Sequence, residues 1–199
     1  MDELILKEMR DELSRYCAVP ESEWQKVARM IKPLRIRKNE HFINIGEVAD
    51  KLGFIKSGIF RVYYVTDDGD EKILVFRNEN HFLTAFSAFL NGTPSWYAIQ
   101  ALEDSVLLCF TLKEYTRIMA NDSCWNTLTR KYVENLFIEK EQRERGFLSE
   151  NAMTRYITFQ QSYPGIEGRI PQYYIASYLG ITPVALSRIR KKMGKKSTP

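Results

Sequence analysis

The stretch QYYIASYLGITPVALSRIRKK, residues 172–192, predicts two short helices joined by a tight turn. Gly180 is suited to end the first helix, because glycine readily adopts the left-handed conformation found at helix C-termini. Thr182 can cap the second helix, and Pro183 is well placed in its first turn. The stretch therefore predicts a helix-turn-helix.

Each of the two predicted helices has one apolar face. Ile175, Ala176 and Leu179 recur at helical spacing on the first helix, and the small side chain of Ala176 permits a close helix crossing. Leu186 and Ile189, three residues apart, form the apolar face of the second helix. The residues left on its outward face are Pro183, Val184, Ser187, Arg188 and Lys191.

The second helix of a helix-turn-helix enters the major groove of DNA. Arg188 is suited to recognise guanine, because its planar guanidinium can donate two hydrogen bonds to the O6 and N7 atoms of that base. A purely structural role is the alternative for Ser187 at the helix crossing and for Tyr173 over the hydrophobic core. Basic residues near the end of the helix are suited to contact DNA phosphates. Such contacts position a protein on DNA without specifying the base sequence. The predicted DNA contacts are Gln172, Tyr173, Thr182, Pro183, Val184, Ser187, Arg188, Arg190, Lys191 and Lys192.

Positive charge is concentrated at the C-terminal end of the chain. The 199 residues include 29 Lys and Arg and 25 Asp and Glu, a net charge of +4. From Arg169 onward there are seven basic residues, Lys195 and Lys196 among them, and no acidic residue. Such clustering indicates a polyanion partner, since bound positive charge releases counterions from a phosphate backbone. A solvated basic tail is the alternative.

The segment from Leu34 to about Phe110 is typical of an antiparallel β domain. Short runs rich in Ile, Val, Phe and Tyr alternate with turn residues, at the spacing of a sandwich or barrel. The clearest hairpin has the turn 67–69, Asp-Asp-Gly, because glycine supplies the positive φ of a tight turn. Helical spacing precedes this segment, up to about residue 32.

A long helix is predicted from about Asp122 to Arg145, a stretch without glycine or proline. Gly146 is expected to break it, and Ser149 is expected to cap a further helix. The apolar stripe predicts a seam with a partner helix, although packing on the chain's own β domain explains the same periodicity. The stripe consists of Trp125, Leu128, Tyr132 and Leu136, and Val133, Phe137 and Ile138 broaden it.

Composition argues against several classes of protein. No stretch approaches the ~18 consecutive apolar residues of a membrane-spanning helix, and the N-terminus lacks the pattern of a signal peptide. The three cysteines are far apart and the histidines number only two, which disfavours a disulfide framework and a metal site. We therefore expect a soluble cytoplasmic protein with no identifiable cofactor.

These motifs resemble, in order and spacing, those of the CRP/FNR family of bacterial transcription regulators. The resemblance implies an α+β fold, with an antiparallel β-roll of the double-stranded β-helix or cupin-like type, a long dimerisation helix and a C-terminal winged helix-turn-helix. The implied domains are a sensor at 1–121, the dimerisation helix at 122–145 and a DNA-binding domain at 146–199. The matching stretches are 35–42, 46–49, 54–63, 68–72, 155–156, 163–166, 175–180 and 186–188.

The same resemblance implies function and partners. It implies a homodimer that binds two-fold symmetric double-stranded DNA, with RNA polymerase and an unknown small-molecule effector as candidate partners. A ligand- or protein-binding signalling module without DNA is one alternative. A cupin-like enzyme is a weaker one, because such enzymes need clustered His and carboxylate ligands, so we expect a protein that is not an enzyme.

The sequence departs from the family where its cyclic-nucleotide binders hold their ligand. Those members carry F-G-E-[LI]-x-L followed by R-[ST]-A, in which Glu binds the ribose hydroxyl and Arg pairs with the cyclic phosphate. Here Thr84 and Ala85 replace Gly and Glu, whereas Ser95 and Trp96 replace Arg and Ser. A buried phosphate without a paired cation is costly, so cyclic AMP is not expected as the effector.

Other effectors of the family also find little support in the sequence. An iron–sulfur sensor needs several N-terminal thiolates, and Cys17 stands alone there. Neither His41 nor His81 lies in a context that suits a haem ligand. A pocket collapsed onto its own aromatic residues, or one for an apolar ligand, is expected around Phe86, Ser87, Phe89, Ser95, Trp96 and Tyr97.

Overall fold

The computed structural model describes residues 3–120 and 124–194. The chain divides into two compact units. The first contains the residues up to Tyr64 together with Val75–Leu136, and the second contains Val65–Leu74 together with the chain from Phe137 onward. This division differs from the expected domain boundaries, because it falls inside the long helix and assigns a β-hairpin tip to the C-terminal unit. Asp122, where the helix was expected to begin, lies outside the described residues.

The elements up to the long helix are short helices and strands. The helices are α1 (Glu3–Ser14), α2 (Glu21–Ala28), α3 (Phe86–Asn91) and α4 (Leu112–Met119). The strands are β1 (Lys32–Ile36), β2 (His41–Ile43), β3 (Lys51–Ser57), β4 (Phe60–Val65), β5 (Glu71–Arg77), β6 (Phe82–Leu83), β7 (Ala98–Ala101) and β8 (Ser105–Thr111).

The strands form two four-stranded sheets with the orders β1-β8-β3-β6 and β2-β7-β4-β5. Pairing is antiparallel in the registers of both sheets, as the sequence predicts for a β-roll. The predicted hairpin is also confirmed: Gly69 has φ +85°, and the Thr66 amide donates to the Asp70 carbonyl at 2.9 Å. The α+β fold class is therefore as expected.

One core cluster joins the sheet β1-β8-β3-β6 to the helices. Phe54, Leu108 and Phe110 are buried together with Trp24 of α2 and with Trp125 at the start of the long helix, α5 (Cys124–Ser149). Because burying one large apolar side chain stabilises a fold by ~1.5–3 kcal/mol, this cluster is a major contribution to the stability of the first unit.

The second unit consists of helices around the hairpin tip. Its elements after α5 are α6 (Ala152–Ser162), a 3-10 helix (Ile166–Gly168), α7 (Gln172–Leu179) and α8 (Pro183–Gly194). From Phe137 to Gly194 the described chain forms helices and turns. The wing that the family resemblance implies is not formed by these residues.

Helix α5 passes through Gly146, so the prediction that this glycine breaks the helix is wrong. The Glu150 amide still donates to the Gly146 carbonyl at 3.0 Å. A side chain at Gly146 would meet the Glu150 carboxylate at 3.3 Å, so the glycine permits close packing instead of ending the helix. Glycine inside a helix costs only ~1 kcal/mol, which the packing of neighbouring turns can offset.

The cap of α6 is also different from the prediction. Asn151 caps it, because its Oδ1 atom accepts from the amides of Met153 and Thr154, each at 3.0 Å. Ser149 was the expected cap, but it remains part of α5, where its hydroxyl donates to the Arg145 carbonyl at 2.7 Å. Either side chain is a good cap in isolation, and the length of α5 decides between them.

No helix of the described residues combines the length and apolar character needed to cross a membrane. Within residues 3–120 and 124–194, no group of three or more His, Cys, Asp or Glu residues is arranged to hold a metal ion. Burial raises the pKa of the Cys109 thiol to about 12, which keeps it in the unreactive thiol form at neutral pH.

Gly58 should be the least replaceable glycine of the first unit. It has φ +113°, and an added Cβ would lie 2.0 Å from the Ser105 hydroxyl oxygen. Gly58→Ala should lower the free energy of unfolding by about 3 kcal/mol, since backbone strain and overpacking add. Gly46→Ala is the matched control, because Gly46 has φ +80° but open space around it, and should cost about 1 kcal/mol.

Urea denaturation, followed by the fluorescence of the buried Trp24 and Trp125, measures the free energy of unfolding of the first unit for both variants. Equal losses for the two variants would show that the contact with Ser105 adds nothing to the strain.

Candidate nucleic-acid interface and effector region

The predicted helix-turn-helix is formed by α7 and α8. Gly180 ends α7 in the left-handed conformation with φ +67°, as expected. Thr182 caps α8, because its hydroxyl accepts from the Ala185 amide at 3.2 Å, and Pro183 is the first residue of the helix. A Cβ at Gly180 would lie 2.9 Å from the Phe147 ring, so the turn also needs glycine for close packing.

The apolar faces of the two helices pack as predicted. Ile175, Ala176 and Leu179 of α7 are each at most 1 % exposed, and Leu186 of α8 is fully buried. Ile189 was expected to be buried beside Leu186, but it is only half-buried. Core packing therefore fixes which side of α8 is turned away from α7.

Nine of the ten predicted DNA contacts are exposed in the structure: Gln172, Tyr173, Thr182, Pro183, Val184, Ser187, Arg188, Lys191 and Lys192. The tenth, Arg190, is half-buried, and its charge acts on the hydroxyl of Tyr156. Arg190 is thus less available to a phosphate than its neighbours. Lys195 and Lys196, which contribute to the basic segment, lie outside the described residues.

A buried polar network under α8 was not anticipated from the sequence. The Tyr156 hydroxyl donates to Glu167 at 2.5 Å, and the Gln160 amide donates to the other Glu167 oxygen at 2.9 Å. Burial, followed by the contact with Glu167, raises the pKa of Tyr156 to about 12. The hydroxyl therefore remains protonated at neutral pH, and this link ties α6 to the 3-10 helix.

Two arginines, Arg143 and Arg155, hold the C-terminal end of α7, and only Arg155 lies in a stretch that carries the family resemblance, residues 155–156. Arg155 donates to the Leu179 carbonyl at 3.1 and 3.3 Å, and Arg143 donates to the Tyr178 carbonyl at 3.2 Å. Cations are favourable here, because the last carbonyls of a helix have no partner within the helix and carry partial negative charge. Burial lowers the pKa of the Arg143 guanidinium below its ordinary value.

The expected effector region includes aromatic contacts around Tyr97, whose side chain is half-buried. Burial raises the pKa of Tyr97, while a hydrogen bond from the Phe86 backbone opposes this rise. The Tyr97 ring contacts the Tyr64 ring with centroids 5.5 Å apart. Phe89 is fully buried and contacts Tyr115. The collapse of a pocket onto these residues stays a prediction.

Two of the residues predicted for this region are exposed. Trp96 is 80 % exposed, and Ser87 is also exposed. Ser95, by contrast, is buried, and its hydroxyl donates to the Tyr97 carbonyl at 2.7 Å. Trp96 and Tyr97 lie in the bend that precedes β7.

The predicted dimer seam is largely wrong. Trp125, Leu128 and Tyr132 are at most 8 % exposed and are buried within their own chain. The Tyr132 hydroxyl even accepts from the Phe82 amide at 2.9 Å. Leu136 is half-buried. Periodicity identified an apolar face but did not distinguish packing on the β-roll from packing on a partner, and the β-roll takes this face.

The exposed apolar residues of α5 begin where the predicted seam ends. Phe137 is 67 % exposed, Ile138 is 48 % exposed and Leu148 is 83 % exposed. Phe137 and Leu148 are 11 residues apart on α5, and because 11 residues make about three helical turns, they share one face. Phe137 and Leu148 thus lie at the two ends of one face of this half of α5, with Glu141 and Glu144 between them on that face.

Comparison with known protein families identifies one domain in the chain. The profile of the cyclic nucleotide-binding domain matches residues 33–122. Among curated proteins, no sequence matches the chain.

Solved structures match over most of the chain. FixK2 from Bradyrhizobium japonicum matches at 18 % identity and TM-score 0.71, over 83 % of this chain and 85 % of that protein. The c-di-GMP-responsive global regulator CLP from Xanthomonas campestris matches at 11 % identity and TM-score 0.69, over 89 % and 93 %. A CooA mutant from Carboxydothermus hydrogenoformans matches at 19 % identity and TM-score 0.67, over 85 % and 79 %.

Solved structures at these identities share a fold with the chain, and they are transcription regulators of the CRP/FNR type. The domain match and the fold confirm the resemblance that the sequence motifs indicated. The chain thus contains a cyclic nucleotide-binding domain at residues 33–122 and has the fold of the CRP/FNR transcription regulators.

Proposed function

We propose that this protein is a sequence-specific DNA-binding transcription regulator that acts as a homodimer. The observation that carries the proposal is the outward face of α8, where Val184, Ser187, Arg188 and Lys191 are all exposed. Neither α7 nor α8 contains an acidic residue, so nothing in these helices repels a phosphate backbone. RNA polymerase and a small-molecule effector are the further partners that such a regulator would use.

The exposed residues of α8 suit two kinds of DNA contact. The guanidinium of Arg188 can donate two hydrogen bonds to guanine in the major groove. Val184, which is 61 % exposed, can contact a thymine methyl group. Lys191 and Lys192, which follow on the same helix, suit phosphates. Base contacts at the start of the helix and phosphate contacts at its end match the docking of a recognition helix.

Arg188→Ala should weaken binding to the preferred DNA site by about 1–3 kcal/mol and relax selectivity for guanine at one position. The site is obtained by selecting bound fragments from random DNA, and affinity is measured by fluorescence anisotropy. Arg130→Ala is the matched control, because it removes the same charge from α5, where Arg130 pairs with Glu134 at 2.7 Å, and should leave affinity unchanged. Equal affinity of Arg188→Ala and the unchanged protein would contradict this role.

The homodimer is proposed to form through the second half of α5. Phe137, Ile138 and Leu148 replace the buried residues of the predicted seam as the contact surface. Phe137 and Leu148 share one helix face, and covering them would favour association because it removes apolar area from water. A two-fold symmetric dimer would present two copies of α8 to DNA.

Phe137→Glu should convert the dimer to a monomer in light scattering, because it places two like charges in the seam. Leu90→Glu is the control: Leu90 is 50 % exposed on α3, and its replacement should leave the dimer intact. A dimer that survives Phe137→Glu would refute this seam, and a monomeric unchanged protein would refute the homodimer itself.

Cyclic AMP is not the proposed effector. The cyclic phosphate would need a cation at the position of Ser95 or Trp96, but Ser95 is occupied with the Tyr97 carbonyl and Trp96 extends into solvent. Burying the phosphate without such a partner would cost several kcal/mol.

A thermal-shift titration with cyclic AMP and cyclic GMP should show no saturable rise in melting temperature, with 5′-AMP as the control for ionic effects. A true ligand at 100 times its Kd would stabilise the fold by ~2.7 kcal/mol, which the measurement detects easily. Saturable stabilisation at micromolar cyclic nucleotide would overturn the proposal.

A further inference from the structure

The first turn of α8 presents an exposed apolar surface. Pro183 begins the helix and is exposed, and Val184 is 61 % exposed. The hydroxyl oxygen of Thr182, just before them, accepts from the Ala185 amide at 3.2 Å as the helix cap. Proline has no N–H group to donate, and the valine side chain has no polar atom. A partner that approaches this turn therefore meets mainly the carbon atoms of Pro183 and Val184.

Packing of α8 fixes the side of the helix on which Val184 lies. Leu186 is fully buried, so the opposite side of the helix is turned to solvent. Val184 and Arg188 are four residues apart and share this exposed side. Four residues rise about 6 Å along a helix, which corresponds to about two base-pair steps of DNA. The two side chains can therefore reach neighbouring base pairs in one major groove.

The first turn of a recognition helix lies at the base edges, so the chemistry of Val184 bears on base preference. Among the four standard bases, thymine alone carries an apolar group in the major groove, the methyl group on C5. The other groups that identify a base there are hydrogen-bond donors and acceptors. Valine over such a group would displace water without replacing its hydrogen bond, which costs affinity. An exposed valine at this position therefore favours a methyl group.

A valine that contacts this methyl group does not distinguish between the pyrimidines that carry it. Thymine and 5-methylcytosine both have a methyl group on C5, and they differ at C4, where thymine has an accepting oxygen and cytosine a donating amino group. Telling these two groups apart requires a hydrogen bond, which valine cannot make. Val184 thus responds to the 5-methyl group itself, which cytosine and uracil lack.

We propose that the first turn of α8 recognises the 5-methyl group of a pyrimidine, with Val184 as the specificity-determining residue. Thymine and 5-methylcytosine are two sources of this group, so methylation of cytosine at C5 creates a contact that unmethylated cytosine lacks. The proposal rests on the proposed DNA-binding function and names the chemical feature that this part of the interface selects. Arg188 adds hydrogen bonds to guanine, so α8 combines one apolar and one polar determinant on the same face.

The test uses two pairs of DNA duplexes, and the members of each pair differ only in one methyl group. Bound fragments are first selected from random DNA with the unchanged full chain and with Val184→Ala. The pyrimidine position whose preference is lost in the variant is the position that Val184 contacts. That position is then synthesised in both half-sites as thymine or uracil opposite adenine, and as 5-methylcytosine or cytosine opposite guanine. Fluorescence anisotropy measures the affinity for each duplex.

Removal of the methyl group should weaken binding of the unchanged protein about fourfold in each half-site, which is the effect of leaving one methyl group unburied, and about fifteenfold in both. The loss should be the same for the two pairs of duplexes, because Val184 does not sense the group on C4. For Val184→Ala the two members of each pair should bind with nearly equal affinity, since the methyl groups that cover the base are gone.

Two controls separate this effect from a general loss of folding or affinity. Alanine is the best helix former, so Val184→Ala should keep α8, and circular dichroism verifies that the variant is folded. Val48→Ala is the matched control, because it shortens a valine that is 48 % exposed outside α8. Its affinities for the four duplexes should equal those of the unchanged protein.

Equal affinity of the unchanged protein for the thymine and uracil duplexes would overturn the proposal, as would a methyl effect that persists undiminished in Val184→Ala. Equal affinity for 5-methylcytosine and cytosine would also overturn it, because thymine would then be recognised through its O4 atom. The same holds if no pyrimidine preference depends on Val184. If the unchanged protein selects no DNA, the proposed function itself fails. If it selects DNA through Arg188 without a methyl effect, DNA binding stands and only methyl recognition fails.

Discussion

Trp125 and Leu128 bury the first turns of α5 against the sheet β1-β8-β3-β6, and the rest of the structure depends on this contact. It commits one face of the helix to the β-roll, so that face is not available to a partner chain. The remaining turns carry the exposed apolar residues from Phe137 onward and Arg143, whose guanidinium donates to the Tyr178 carbonyl. One continuous helix thus contributes both to the core of the first unit and to the contacts of α7.

The residues that bind ribose and phosphate in the family's cyclic-nucleotide binders are replaced here at Thr84, Ala85, Ser95 and Trp96. Tyr97, next to Trp96 in the chain, is half-buried and its ring contacts the Tyr64 ring. The hairpin between β4 and β5 contacts α7, because the Ile73 amide donates to the Ser177 hydroxyl.

Local sequence chemistry predicted the helix-turn-helix well because each of its signals acts within a few residues. Gly180 needs only its own backbone conformation, Thr182 needs only an amide three residues away, and Leu186 needs only a neighbouring helix. The strands and the hairpin turn were predictable for the same reason. Gly146 and Ser149 were misjudged because helix length depends on packing between α5 and α6 rather than on the propensity of one residue.

The sequence by itself determined the α+β fold, the CRP/FNR resemblance, the outward face of α8 and the replacement of the family's cyclic-nucleotide-binding residues, all of which depend on local residue type and spacing. Only the tertiary structure decided which half of α5 is buried, that Trp96 is exposed, and that Arg143 contacts Ile73 and Leu74. Those contacts join residues about 70 positions apart in the chain. Backbone carbonyls leave no trace in side-chain patterns, so no reading of sequence periodicity could have found them.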